Sequence, residues 1–345
     1  MGFGVLRQDE RGSAIRKFLF LALLLAAVGA AYYYFVVRAR RVVSNEVGYV
    51  LPPTIQVVDT PAEVRIVAGS LKGGDRVEIL QRTRNWAHIH AGDNLTGWVE
   101  NKDLLDSQTY EAGQKLLRQE LELPAQAQGH TAGVVNLRLE PSRDGAQLAQ
   151  LPANLKVEIY GRRWVDRPGP EDQPAAAKLH DAWYLIRADN RAGWALGHFV
   201  ALDIPEALSA YAQASNLVAW VVLNKVDDEG RAVPQYITAD RMGNPNADFT
   251  HIRVFTWWRK HQTYVTAYVE GGLEGSFPIR VSEAKGVPYF RLRLKDEQGE
   301  QYQKVYGLFD TITRVVGTVP GWESDAMPTS PPPPRGRRRS GHRNS

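Results

Sequence analysis

The sequence predicts a mainly β chain behind an N-terminal transmembrane helix. Two small antiparallel barrels, each followed by a short helix, lead into a C-terminal all-β domain. Three observations predict this. One long apolar run near the N-terminus lacks charge. Two later segments repeat the same order of short alternating strands and Gly-Trp turns. A third stretch, dense in aromatics, alternates strand-like runs with Gly and Asp turns. A chain of 345 residues has room for two or three domains of roughly 100–150 residues.

The first element is the apolar run bounded by Phe18 and Val37, which contains no charged side chain. Its 20 residues, rising about 1.5 Å each in a helix, match the roughly 30 Å hydrocarbon core of a bilayer. Tyr32, Tyr33 and Tyr34 cluster near one end, where amphipathic rings suit the headgroup level. Arg38, Arg40 and Arg41 then form a stop. Ala26, Ala27, Gly29, Ala30 and Ala31 could be read as a signal-peptide cleavage region, but the apolar run continues for six residues beyond them. The expectation is therefore an uncleaved single-pass anchor at 18–37, with 1–17 as a cytoplasmic tail. Arg7, Arg11, Arg16 and Lys17 precede the run and three arginines follow it, so local charge does not orient the helix.

The formal net charge of +4 misrepresents the body of the chain. Arg335, Arg337, Arg338, Arg339 and Arg343 crowd the C-terminal tail, and seven more cations flank the apolar run. Without these ends, 30 basic residues face 36 acidic ones over 42–334. A nucleic-acid-binding domain concentrates its positive charge on the fold itself, so no nucleic acid is expected as a partner. With no cysteine, disulfides, thiolate catalysis and Cys-based zinc sites are excluded.

Next comes the repeat. The first copy contains Gly74, Asp75, Arg76, Val77, Glu78, Ile79 and Leu80, then Asn85, Trp86, Ala87, His88 and Ile89, then Thr96, Gly97, Trp98 and Val99. The second contains Asn154, Leu155, Lys156, Val157, Glu158, Ile159 and Tyr160, then Ala182, Trp183, Tyr184, Leu185 and Ile186, then Ala192, Gly193, Trp194 and Ala195. The two Trp-to-Trp gaps are 12 and 11 residues. The second copy opens with Val135, Asn136, Leu137, Arg138, Leu139, Glu140, Pro141 and Ser142. That opening and the strands after it resemble bacterial SH3 (SH3b) domains. The resemblance covers 47–106 and 131–203 and implies two SH3b-like barrels. The first copy lacks the Pro-Ser turn, reading Val64, Arg65, Ile66, Val67, Ala68 and Gly69 instead. An insert between Arg162 and His180, rich in Pro, Ala and acidic residues, reads as a long exposed loop.

Short helices are expected at 107–123 and 204–215. Leu116, Leu117 and Leu121 share a face of the first. Asp203 is placed to cap the second, with Pro205 in its first turn and Glu206 completing a capping-box-like pattern. The stretch from Pro124 to Gly129 reads as a linker. The domain at 216–318 shows six strand-like runs, at 217–223, 252–258, 264–269, 277–281, 289–294 and 305–309, with turns at 227–230, 271–272 and 298–299. Residues 327–345, rich in Pro, Ser, Gly and Arg, cannot bury a core and are expected to be disordered.

No Walker loop, HExxH, Gly-x-Ser-x-Gly or dinucleotide fingerprint occurs, and no catalytic residue, metal or cofactor is expected. His88 and His90 share one strand face, but a zinc site would need a third ligand. Asp227 and Asp228 fit turn chemistry better than a catalytic dyad. The candidate ligand-binding residues are Trp86, Trp98, Trp183, Trp194 and Trp258. Each barrel tryptophan has two readings, core packing or a contact platform at the barrel rim. Trp257 and Trp258 are adjacent on a strand and must face opposite ways. The tail, with Pro331 to Pro334 and its arginines, is suited to an anionic surface, where each cation contributes about 1 kcal/mol. The whole layout resembles SH3-domain-containing bacterial envelope proteins. That resemblance implies a non-enzymatic binding or scaffold protein that contacts peptidoglycan or envelope proteins, with its body outside the cytoplasm. A structural subunit of a membrane complex, and an SH3b-targeted wall enzyme, are the alternatives.

Overall fold

The computed structural model describes residues 25–29, 46–92, 94–166, 180–243 and 247–324. The chain is mainly β. Of the apolar run, residues 25–29 are helical and the remainder lies outside the described residues. Among the described residues no helix is long and apolar enough to cross a membrane. The expected transmembrane helix is therefore not supported by any helix among the described residues. Phe18, Tyr32, Val37, Arg38, Arg40, Arg41 and the tail at 327–345 lie outside the described residues.

The first copy of the repeat builds β1 (Glu46–Val50), β2 (Thr54–Val58), β3 (Val67–Lys72), β4 (Arg76–Arg82), β5 (Trp86–Ala91), β6 (Leu95–Glu100) and β7 (Leu104–Asp106). The second builds β8 (Ala127–Thr131), β9 (Val135–Arg138), β10 (Gln147–Leu151), β11 (Lys156–Asp166), β12 (His180–Ala188), β13 (Arg191–Leu196) and β14 (Val200–Leu202). Their strand orders are the same: β3-β2-β6-β5-β4-β1-β7 and β10-β9-β13-β12-β11-β8-β14. A 3-10 turn precedes the last strand of each, at Asn101–Asp103 and Gly197–Phe199. Even the irregularity repeats. Ile79 pairs with Ile89 before the register shifts ahead of Gln81, and Ile159 pairs with Ile186 before it shifts ahead of Gly161. A bulge at one fixed place bends both strands alike. The turn into the bulged strand needs a left-handed residue, and Gly74 (φ 91°) and Asn154 (φ 60°) supply it, two residue types that reach this conformation at low cost.

The chain forms two compact units. One contains Gln56–Ser70 and Arg76–Lys102; the other contains Tyr49–Ile55, Leu71–Asp75 and the chain from Asp103 onward. In the first unit the alternation of β5 buries Ala87, Ile89 and Ala91 and turns Trp86, His88 and His90 to the opposite face.

In the second unit, α1 (Ser107–Glu120) starts at Asp106, whose carboxylate accepts from Thr109 N (2.8 Å) and Thr109 Oγ1 (2.7 Å). These bonds hold the Asp106 carboxyl below the usual range. Leu117 is buried and Leu116 half-buried, but Leu121, at the C-cap, is exposed. α2 (Glu206–Gln213) has Pro205 at its N-cap and no side-chain cap. Asp203 does not cap it; its Oδ1 pairs with His130 Nδ1 at 2.7 Å. Leu208 of α2 is fully buried in one core with Val135, Leu137, Val157, Ile159, Ile186, Trp220 and Tyr236.

Trp220 and Tyr236 belong to the first of two stacked sheets. The first is β15 (Leu217–Asp228), β16 (Arg231–Asp240), β17 (His251–Trp258) and β18 (Thr263–Glu270); the second is β19 (Gly275–Ala284), β20 (Val287–Lys295), β21 (Gln301–Phe309) and β22 (Ile312–Pro320). Both are antiparallel meanders. Val221, Ile237, Ile252 and Val254 of one share a core with Ile279, Phe290, Leu292 and Tyr306 of the other. Two of the eight strands, β16 and β22, were not among the six expected runs. The turn expected at 227–230 narrows to Glu229 and Gly230, both with positive φ, as a two-residue hairpin prefers.

The expected linker is also corrected. Gln126 is fully buried and β8 begins at Ala127. The Gln126 side chain donates from Nε2 to Ile279 O (3.1 Å) and accepts at Oε1 from Ile279 N (2.7 Å). Its backbone carbonyl accepts from Trp220 N (2.8 Å). One glutamine thus ties the second repeat to both sheets of the sandwich.

Candidate functional site

Strand register makes the tryptophans equivalent in pairs. Ile89 faces Gly97 and His88 faces Trp98 in the first repeat; Ile186 faces Gly193 and Leu185 faces Trp194 in the second. Trp86 therefore corresponds to Trp183, and Trp98 to Trp194. All four rings lie on the face opposite the inner core.

In the first repeat that face is partly open. Trp86, His88 and Trp98 are half-buried, with the His88 ring 4.9 Å from Trp98. The Arg65 guanidinium lies 5.3 Å from the centre of the Trp86 ring. On either side of Arg65, Val64 is 88% exposed and Ile66 is 71% exposed. This apolar loop has a defined base: Asp59 N donates to Ile66 O (3.0 Å) and Asp59 Oδ1 accepts from Ile66 N (2.9 Å). The entry to β5 is fixed too. Thr83 N donates to Trp86 O, Trp86 N donates to Thr83 Oγ1, and Asn101 Nδ2 donates to Thr83 O. The loop base and the entry to β5 are thus each held by hydrogen bonds, with Arg65 lying against Trp86 between them.

In the second repeat the same face is covered. Trp183 is 3% exposed and Trp194 is 9% exposed. They cluster with Tyr160 and Leu185 beneath Leu116, Leu123 and Ala125. Core packing is therefore their role, but in an outer layer, not inside the barrel-like sheet. Trp257 packs edge-on against Tyr264 at 5.0 Å, while Trp258 is half-exposed with its ring 3.9 Å from His261.

Beside Trp194 the second repeat and the sandwich enclose a cleft of about 720 Å³. Its charged lining is Arg162, Arg163, Arg293 and Lys295 against Glu120 and Asp248, and Trp164, Trp194 and Trp322 supply rings. Arg162 and Arg241 lie 4.6 and 4.2 Å from the centre of the Trp164 ring, and Arg163 lies 5.6 Å from that of Trp194. Arg293 and Lys295 lie 5.9 Å from the Trp322 ring. Burial pushes the Asp248 carboxyl up to about 6, opposed by the Phe277 N–H and by the guanidinium charges of Arg162, Arg163 and Arg241. Burial likewise pushes Glu120 up to about 7.

The sequence reading missed this cleft. Arg162 to Trp164 fell at the start of the segment read as a loop, whereas β11 runs on to Asp166. Residues 167–179 of that insert lie outside the described residues. Arg293 and Trp322 come from the far end of the chain, and no local pattern signals that they meet Arg162.

No protein-family model matches the chain, and neither does any curated protein. Similar solved structures include NlpC2 from Trichomonas vaginalis (12% identity over 67% of this chain and 98% of that one, TM-score 0.17). An NlpC/P60 family protein from Bacillus cereus is 8% identical over 65% of this chain and 94% of that one, with a TM-score of 0.22. At these scores neither likeness carries an argument about fold or activity.

Proposed function

We propose that the chain is a non-enzymatic binding or scaffold protein, with two SH3b-like modules of which the first contacts the ligand. The ligand is a peptide chain, belonging either to a protein partner or to the stem peptide of peptidoglycan. One observation carries this reading: Val64 and Ile66 stand exposed on a braced loop whose Arg65 lies against Trp86. Methyls, rings and one guanidinium suit contact with a peptide, since apolar anchors beside aromatics dominate such interfaces. The common strand order, the shared bulge and the 3-10 turn before each last strand support treating the repeats as one kind of module.

The test is retention of the purified chain on peptidoglycan sacculi and, separately, on an array of extended peptides. Retention on either is expected to fall at least about tenfold in Trp86→Ala and in the double variant Val64→Ser/Ile66→Ser, because a central aromatic anchor contributes about 2 kcal/mol. Retention on neither surface, or retention indifferent to both variants, sinks the reading.

A further inference from the structure

We propose that the cleft beside Trp194 binds an oxyanion, a carboxylate or phosphate group. This site lies apart from the Trp86 surface and does not depend on it. The first support is charge: of the cations at the cleft, Arg162 and Arg163 have no carboxylate within ion-pair distance among the described residues. Four cations line the cleft against two carboxyl groups, Glu120, which is buried, and Asp248, which is part-buried. Glu274 lies 3.9 Å from Lys295, and Glu323 lies 3.4 Å from Arg293 at the outer edge. Like charges gathered at one cleft repel one another, and a bound anion relieves that repulsion.

The second support is a pair of buried donors without acceptors. Arg162 Nε and Trp164 Nε1 are both shielded from solvent, and neither has a hydrogen-bond partner. A buried N–H normally finds an acceptor, and these two donors, from one stretch of β11 beside the cleft, have none. Planar guanidinium donors match the geometry of carboxylate and phosphate oxygens. The third support is room: a volume of about 720 Å³ admits such a group together with the molecule that carries it.

The test uses the full chain and four probes: phenyl phosphate, benzoate, inorganic phosphate and neutral benzyl alcohol. Calorimetry gives affinities, and the indole N–H resonance of Trp164, assigned through Trp164→Phe, reports the place. A ring-bearing anion is expected to bind at least about tenfold more tightly than benzyl alcohol and to move the Trp164 resonance, since one charge-assisted hydrogen bond is worth about that factor. Phenyl phosphate against benzoate then distinguishes a phosphate ligand from a carboxylate one. Arg162→Gln is expected to weaken binding about tenfold. Arg163→Gln, whose side chain is exposed and whose loss spares the fold, is expected to weaken it several-fold. Equal affinity for charged and neutral probes, a silent Trp164 resonance, or unchanged affinity in folded Arg163→Gln would each overturn the proposal.

Discussion

In the first repeat Trp86 and Trp98 stand half-exposed beside a loop that shows Val64 and Ile66 to water. In the second, Trp183 and Trp194 occupy the corresponding positions beneath Leu116 and Leu123. Strand order, bulge and pairing are shared, so the backbone dictates only which way a ring points. Whether that ring is structure or surface depends on what lies over it. α1 and the chain after it cover the second face.

The largest test of this contrast is truncation of the paired tryptophans. Trp183→Ala is expected to cost about 4 kcal/mol, as for other buried large-to-small changes. Trp86→Ala, with a ring already half in water, is expected to cost about 1 kcal/mol and to act mainly on binding. Urea midpoints measure both. Equal losses would mean that the first face is as buried in solution as the second.

Gln126→Ala comes next. It leaves the N–H and C=O of Ile279 buried without their partners, at a cost of about 3 kcal/mol. A loss below about 1 kcal/mol would show that water or a backbone shift replaces the amide.

A comparable but pH-dependent effect is expected at Glu120. Its folded value, about 7, lies above the ordinary 4.5, so the folded chain holds the proton more tightly. This group therefore costs stability as pH rises from about 4.5 to about 7, and the cost is full above that. Glu120→Gln removes it. At pH 8 the variant is expected to be about 3 kcal/mol more stable than the parent, and near pH 4 the two converge. A difference that does not change with pH would exclude a buried, proton-holding carboxyl at this position.

The smallest stability effect belongs to Val64→Ser/Ile66→Ser, expected within about 0.5 kcal/mol because both side chains are already solvated. A clear loss of stability would mean that the loop packs against something and is not a free contact surface.

The repeat was legible because its marks are local: a Val-Glu-Ile strand, a Trp opening the next, and a Gly-Trp turn, twice in the same order. The sandwich was less so. β16 carries Pro234 in mid-strand, which argues against a strand when only propensity is weighed. The missing cap of α2 has a tertiary cause, since His130, 73 residues away, takes the carboxylate expected to cap it. Gln126 was hidden for the same reason. Polar and flanked by Ala and Gln, it reads as linker until Ile279, 153 residues on, is brought beside it. The anchor inferred from an uncharged run is the plainest miss: composition showed a stretch able to span a bilayer, and no described helix is long and apolar enough to do so. The cleft was illegible because its cations and rings come from strands that meet only through the fold.

The Gln126 side chain has one more consequence. With one donor and one acceptor aimed at Ile279, it does what an adjoining peptide group would do, as though the sandwich sheet had borrowed one amide of a further strand. The exchange of the Ile279 amide hydrogen with deuterium should then report on a region remote in sequence. That hydrogen is released only when β8 lets go, so its exchange rate should track local opening of the second repeat, and the two should lose protection together as one cooperative unit.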